Sequence, residues 1–200
     1  MIRTMPEWDN VVAFHGHRCM GLATGYRVAE AALQALQSGR DIDEELVAIV
    51  ENDSCAVDAI QYVTGCTLGK GNLILRDYGK QAYNFARRSD GKALRIIPRN
   101  REGKSQHELN ELRRKILVGN PTDEERERFA ALNARAISEY LVSPLEDVVK
   151  IKNTAIKLPE KARIFNSITC AECGENVMEP RARVKNGQMV CIPCADSYER

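Results

Sequence analysis

Cys170-Ala-Glu-Cys173 and Cys191-Ile-Pro-Cys194, with seventeen residues between them, place four thiols within the last 31 residues of the chain. Two CxxC knuckles at this spacing each present two thiolates to one tetrahedral ion, the pattern of a four-cysteine zinc site. The segment between them fits, since Val184-Lys185-Asn186-Gly187-Gln188-Met189-Val190 reads as strand, Asn-Gly turn, strand. The unit reads as a zinc ribbon holding one structural zinc. Cys170, Cys173, Cys191 and Cys194 fill all four positions, leaving none for water or substrate. A piece this short cannot bury enough apolar surface to fold alone. Metal binding worth about 10–16 kcal/mol of apparent free energy folds it instead. The rival reading, two disulfides, requires an oxidising compartment.

Upstream of the ribbon there is room for one domain with a sizeable core. A hydrophobic content of 44% and a charged content of 28% are those of an ordinary soluble globular protein. The formal net charge of +1 names no polyanionic partner. The N-terminus, Met1 to Trp8, lacks the apolar stretch of a signal peptide. The longest apolar run, Leu46 to Val50, is far too short to span a bilayer. Seven cysteines without a secretion signal point to a reducing cytoplasm and to metal or redox chemistry.

Helices and strands mix irregularly through the first 150 residues. A short helix is expected over 7–14, after Pro6. From Gly21 to Gln37, Leu22, Tyr26, Ala29, Leu33 and Leu36 step by 4, 3, 4 and 3, one face of an amphipathic helix. Leu46–Val50 reads as a buried strand, and Asp53 or Ser54 as the cap of a helix from Cys55 to Thr64. Strands near 73–78, 81–88 and 92–98 follow a glycine-rich loop. Helices are expected at about 105–118 and 122–141. The second opens on the capping box Thr122-Asp-Glu-Glu125 and buries Phe129, Leu132, Ala136, Ile137, Tyr140 and Leu141. Val148–Ile151 is a last strand. The class is α+β, with a core domain over 1–155, a lysine-rich linker over 156–166 and the ribbon over 167–200.

The remaining thiols are Cys19, Cys55 and Cys66. His15-Gly16-His17-Arg18-Cys19 gathers two histidines and a cysteine, and Cys19 immediately precedes a helix, where free N–H groups favour a thiolate and lower its pKa. Cys55 has the same placement at its own helix. Two such thiols, with histidines beside one, suit a second transition metal or a redox pair. Asp58, one turn beyond Cys55, can join a metal's shell or orient a histidine. Each has a plainer reading: buried small hydrophobes for Cys55 and Cys66, and hydrogen-bonded loop residues for the histidines. Gly65-Cys-Thr-Leu-Gly69-Lys70-Gly71 is not a phosphate loop. Its first glycine is one residue too near, Gly71 stands where Ser or Thr is required, and it follows a helix.

Four ordered motifs resemble the FmdE family, named for the E component of formylmethanofuran dehydrogenase: Phe14-His-Gly-His-Arg-Cys19-Met-Gly21, Asn52-Asp-Ser-Cys55-Ala-Val-Asp58-Ala-Ile-Gln61, Thr64-Gly-Cys66-Thr-Leu-Gly-Lys-Gly-Asn72 and Asp77-Tyr-Gly79. The family's usual segment resembles His-Gly-His-x-Cys-Pro-Gly; here Met20 takes the proline position and no ligand is lost. The resemblance implies an α+β core forming an intertwined homodimer. It also implies a metal or active-site cluster made of His17, Cys19 and Cys55, with His15, Asp58 and Cys66 as neighbours. The ribbon is similar to the DksA/TraR-type zinc finger, which implies regulation, protein contact or metal sensing. The long coiled coil of those polymerase-binding regulators has no counterpart here.

Three functions are open at this level. The first is a zinc-binding accessory or regulatory protein, since the namesake enzyme's chemistry belongs to a pterin and iron–sulfur clusters and this chain has no ferredoxin-type cysteine run. The second is a metal-dependent or thiol-redox enzyme using His17, Cys19 and Cys55. The third, nucleic-acid binding through the ribbon, ranks below protein contact. Arg181, Arg183, Lys185 and Arg200 face five carboxylates, and Tyr198 is the one stacking aromatic there.

Overall fold

The apolar run Leu46–Val50 forms strand β1, and all five of its residues are buried. A strand covered on both faces reads as continuous hydrophobicity rather than alternation. The structure is a computed structural model that describes residues 5–100 and 104–196. Tyr198, Glu199 and Arg200, counted above in the ribbon's balance, lie outside the described residues, as do Met1 to Thr4. By their contacts the described residues form two compact units, divided after Lys161. No helix among them is long and apolar enough to cross a membrane.

The first unit is α+β. Its helices are α1 (Trp8–His15), α2 (Met20–Leu36), α3 (Ala56–Thr64), α4 (Lys104–Val118), α5 (Asp123–Val142) and the single turn α6 (Leu145–Val148). Strands β2 (Leu73–Leu75), β3 (Tyr83–Arg87), β4 (Ala93–Pro98) and β5 (Val149–Thr154) join β1 in one sheet of order β2-β1-β3-β4-β5. β1 and β2 are parallel, with Ala48 opposite Leu73, and the other pairs are antiparallel.

Helix α2 organises the core. The expected stripe is present, and ten of its residues are buried, including Leu22, Ala29, Leu33 and Leu36. It packs against α3, β3, β4, β5 and α5, so it carries apolar contacts on more than one side. Each fully buried leucine contributes about 1.5–3 kcal/mol by leaving water. The closest approach is to α3 at Gly25, where an added Cβ would stand 2.1 Å from the carbonyl oxygen of Ala56. Only glycine lets the two backbones meet this way.

Several local expectations are corrected. Neither Asp53 nor Ser54 caps α3; Cys55 occupies that position with helical torsions and no side-chain cap bond. The Ser54 hydroxyl is drawn instead to Asn52 Oδ1 at 2.6 Å. β2 stops at Leu75, because the chain turns at 76–80 and Tyr78 and Lys80 donate backbone N–H groups to the Glu51 carbonyl. β5 runs on to Thr154, which pairs with Ala93, three residues beyond the expected end at Ile151. The capping box of α5 is formed in both directions, Thr122 with Glu125. Of that helix's predicted stripe only Ile137 and Tyr140 are fully buried, since its N-terminal half borders a cavity rather than the core.

The second unit holds two hairpins, β6 (Ser167–Thr169) with β7 (Asn176–Met178) and β8 (Arg183–Lys185) with β9 (Gln188–Val190). The expected Asn-Gly turn joins the second pair. Asn186 and Gly187 both have positive φ, 51° and 78°, the combination whose twist matches a two-residue hairpin.

Candidate metal centres

In the ribbon, the loop after β6 carries Cys170 and Cys173, and the chain leaving β9 carries Cys191 and Cys194. The four sulfurs all lie within 4.8 Å of one another. Cys173 Sγ and Cys191 Sγ are 3.8 Å apart. A tetrahedron with Zn–S bonds of about 2.3 Å has edges of about 3.8 Å, so this set can hold zinc with little adjustment. The Cys191 N–H donates to Cys170 Sγ at 3.3 Å. Backbone donors from Cys173 and Cys191 push the Cys170 thiol down to about 6. Its neighbouring sulfurs push Cys194 up to about 12. Sulfurs sharing one point divide in this way until a cation neutralises them. Lys185, one of the ribbon's cations, is held by Glu172 at 2.8 Å and Asp196 at 3.2 Å.

The core group forms where α1 ends and α2 begins. Gly16 closes α1 in the left-handed region, and the chain turns back so that His15, His17 and Cys19 bring their donor atoms within 4.8 Å of one another. Cys19 is the N-cap of α2 and its sulfur accepts the Leu22 N–H at 3.3 Å. His15 Nε2 lies 3.8 Å from Cys19 Sγ, while its Nδ1–H donates to Asp58 Oδ2 at 2.7 Å. A carboxylate on one imidazole nitrogen leaves the other free as a ligand and fixes the ring's orientation. Three donors of this kind can hold a transition metal and keep a position open.

Cys55 is not in that three-residue group, yet it lies beside Cys19, near enough to perturb its thiol. A Cβ added at Gly21 would stand 3.2 Å from the Cys55 Cβ and 3.9 Å from Cys19 Sγ. Both thiols are free. The expectation that the helix terminus lowers the Cys19 pKa is corrected. Burial raises it, the Cys55 sulfur adds to the rise, and the Leu22 N–H opposes without prevailing. Cys66 is a core residue at 0% exposure, its thiol pushed up to about 12 by burial, and it joins neither group. The Lys70 ammonium of the glycine-rich loop is consumed by Asp41, a buried carboxylate that also accepts from Asn72 Nδ2 at 2.8 Å.

Next to the core group opens a cavity of about 780 Å³, lined on one side by His17, Cys19 and Cys55 and on the other by residues of α4 and α5. Its far wall includes Leu109, Arg113, Phe129 and Tyr140. Sequence reasoning missed Arg113. The available signal was its spacing of four from Leu109, which puts both on one face of α4.

A family model described as FmdE, molybdenum formylmethanofuran dehydrogenase operon, matches residues 14–150. A second, the prokaryotic dksA/traR C4-type zinc finger, matches residues 163–200. A protein of Archaeoglobus fulgidus named probable S-adenosyl-L-methionine-binding protein is 34% identical over 199 residues, covering 92% of this chain and 51% of the relative. The chain thus spans about half that relative's length. The crystal structure of a tungsten formylmethanofuran dehydrogenase FmdE-like protein from Syntrophus aciditrophicus has a TM-score of 0.62 at 21% identity, over 97% of this chain and 96% of that one. That likeness is one of fold.

Proposed function

Because the chain belongs to the FmdE family and carries a dksA/traR-type C4 zinc finger, we propose that it is a metal-binding accessory or regulatory protein. In this reading Cys170, Cys173, Cys191 and Cys194 hold a structural zinc. His17 and Cys19, with His15 and the adjacent Cys55, hold a second transition metal in the core. The observation that carries it is the convergence of His15, His17 and Cys19 donors at the edge of a cavity, with Asp58 supporting one of them. With only the three clustered donors as ligands, a metal bound there would keep an open coordination position. We place the protein in the cytoplasm as a homodimer, with the ribbon as a surface for a protein partner and nucleic acid ranked lower. The core domain, linker and ribbon divide at 1–155, 156–166 and 167–200.

The test is elemental analysis of the full chain, of Cys19→Ser and of Cys173→Ser. Two metals per chain are expected, falling to one in either variant, with the core of Cys173→Ser still folded. One metal in the unaltered protein, lost only in Cys173→Ser, overturns the core site. A wholly unfolded Cys173→Ser contradicts the domain division.

The cavity itself favours a second reading, an enzyme acting through His17, Cys19 and Cys55. Its volume falls within the range of about 300–1,000 Å³ typical of small-molecule sites. The name of the Archaeoglobus relative makes S-adenosylmethionine one ligand to try there.

A further inference from the structure

The walls of the cavity beside the core His/Cys group have an uneven charge. Arg18, Arg99 and Arg113 line it, and among the described residues no Asp or Glu does. Two of the three are engaged. Arg18 Nη2 donates to Asp9 at 2.6 Å, and Arg99 Nε donates to the Glu146 carbonyl at 2.8 Å. Arg113 is different. It is half-buried on α4, and among the described residues nothing forms an ion pair or hydrogen bond with its guanidinium. A guanidinium carries five N–H donors in a planar fork and is costly to withdraw from water without acceptors. Carboxylate and phosphate oxygens match that fork two at a time.

The surroundings restrict the ligand further. Phe129, with Met20 and Pro98 across from it, keeps accessible apolar surface in the cavity, while Leu109 and Tyr140 behind it are already covered by protein. The neighbouring polar side chains, Gln106 and Asn133, are neutral amides that neither compete for an anion nor repel it. A bare inorganic anion would leave that apolar surface uncovered. We propose that this cavity binds an organic anion, its carboxylate or phosphate seated on Arg113 and its apolar body laid against Phe129. The ligand's other end then lies toward Cys19 and His17. This deepens the reading of the cavity as the functional site, and the two can fail separately.

The test is calorimetric titration of the full chain with benzoate and phenyl phosphate, and with benzamide and benzylamine as neutral and cationic counterparts. Saturable binding of at least one anion is expected with Kd of about 1 mM or tighter, a modest affinity for so small a probe. Benzamide and benzylamine should bind about tenfold more weakly or not at all, and Arg113→Gln should weaken the anion about tenfold. Arg113→Lys should fall between, because an ammonium keeps the charge and loses the fork. Arg114→Gln, an exposed neighbour that does not line the cavity, should leave binding unchanged. Melting curves matching the unaltered chain establish that the variants are folded.

The proposal is overturned if neither anion saturates, if the amide or amine binds as tightly, if Arg113→Gln binds like the unaltered protein, or if Arg114→Gln loses as much. Anion binding that survives in Cys19→Ser after its core metal is gone supports the arginine seat independently of the metal. A protein that holds the core metal and binds neither anion ends the proposal and spares the metal reading.

Discussion

Gly25→Ala tests the packing that places the core group. An alanine Cβ at this position would stand 2.1 Å from the Ala56 oxygen, 2.6 Å from its Cα and 2.7 Å from its carbonyl carbon. All three neighbours are backbone atoms of α3, so no side-chain rotation relieves the overlap, and α2 and α3 must separate by about 1 Å. In favour of the variant, alanine gains about 1 kcal/mol over glycine in a helix interior. Against it stand overpacking, about 1–3 kcal/mol or more, and the loss of a quarter to a half of the dispersion well for atoms pulled that far apart. Ala23, Ala29 and Ala59, all at 0% exposure in the same core, share that loss. The balance is a destabilisation of about 2–3 kcal/mol, which for a domain of this size lowers Tm by about 4–12 °C. Circular-dichroism melts measure it, with Gly69→Ala as the control, since a Cβ there meets nothing within 4 Å. Because Cys19 begins α2 and Cys55 begins α3, the variant should also weaken the core metal while the ribbon keeps its own. A Gly25→Ala protein as stable as the unaltered chain would refute the close-packing argument.

Two other outcomes follow from particular contacts. Asp58→Asn keeps the size of the side chain and removes the charge that orients His15, so core-metal affinity in a competition titration should fall about 10–100-fold with the ribbon unaffected; an unchanged affinity would show that the pair does not support the ligand. Glu51 is buried and accepts from Arg95 Nη2 at 2.8 Å, and the Arg95 donors hold its carboxyl below the ordinary glutamate value. A depressed folded value means that this contribution is fully present above the ordinary carboxylate range and is lost as pH falls through the folded value. Glu51→Gln should therefore be less stable at neutral pH and show a flatter acid limb in urea unfolding, whereas curves that stay parallel from neutral to acid pH would contradict it.

Some features of this protein are written in short-range spacing. The 4, 3, 4, 3 steps from Leu22 to Leu36 state a helix and its buried face, because both follow from a 3.6-residue period. The reciprocal bonds of Thr122 and Glu125 need only three residues of reach. The two CxxC knuckles and the Asn186–Gly187 turn between them carry the chelate and the β8–β9 hairpin, since both are local geometry, whereas the β6–β7 hairpin was not foreseen. The motif from His15 to Cys19 belongs partly to this group, as its residues are close in the chain, and its likeness to the FmdE family was visible from the residues alone.

Long-range meetings were decided elsewhere. Nothing in the spacing of residues 19 and 55 makes them neighbours; the absence of a side chain at Gly25 does, by letting α3 lie directly on α2. Asp58 reaches His15 where α1 packs on α3, across 43 residues. Whether burial or the helix terminus governs the Cys19 thiol depended on how much protein surrounds it, and burial prevailed. Arg113 became a candidate only when α4 placed it on the wall of a cavity that no carboxylate lines among the described residues. The sequence by itself determined the helices, the ribbon and the kinds of donor atom present, because torsional periodicity and chelate spacing are local. The tertiary structure decided which donors meet and what faces them, because packing and desolvation are summed over segments far apart in the chain.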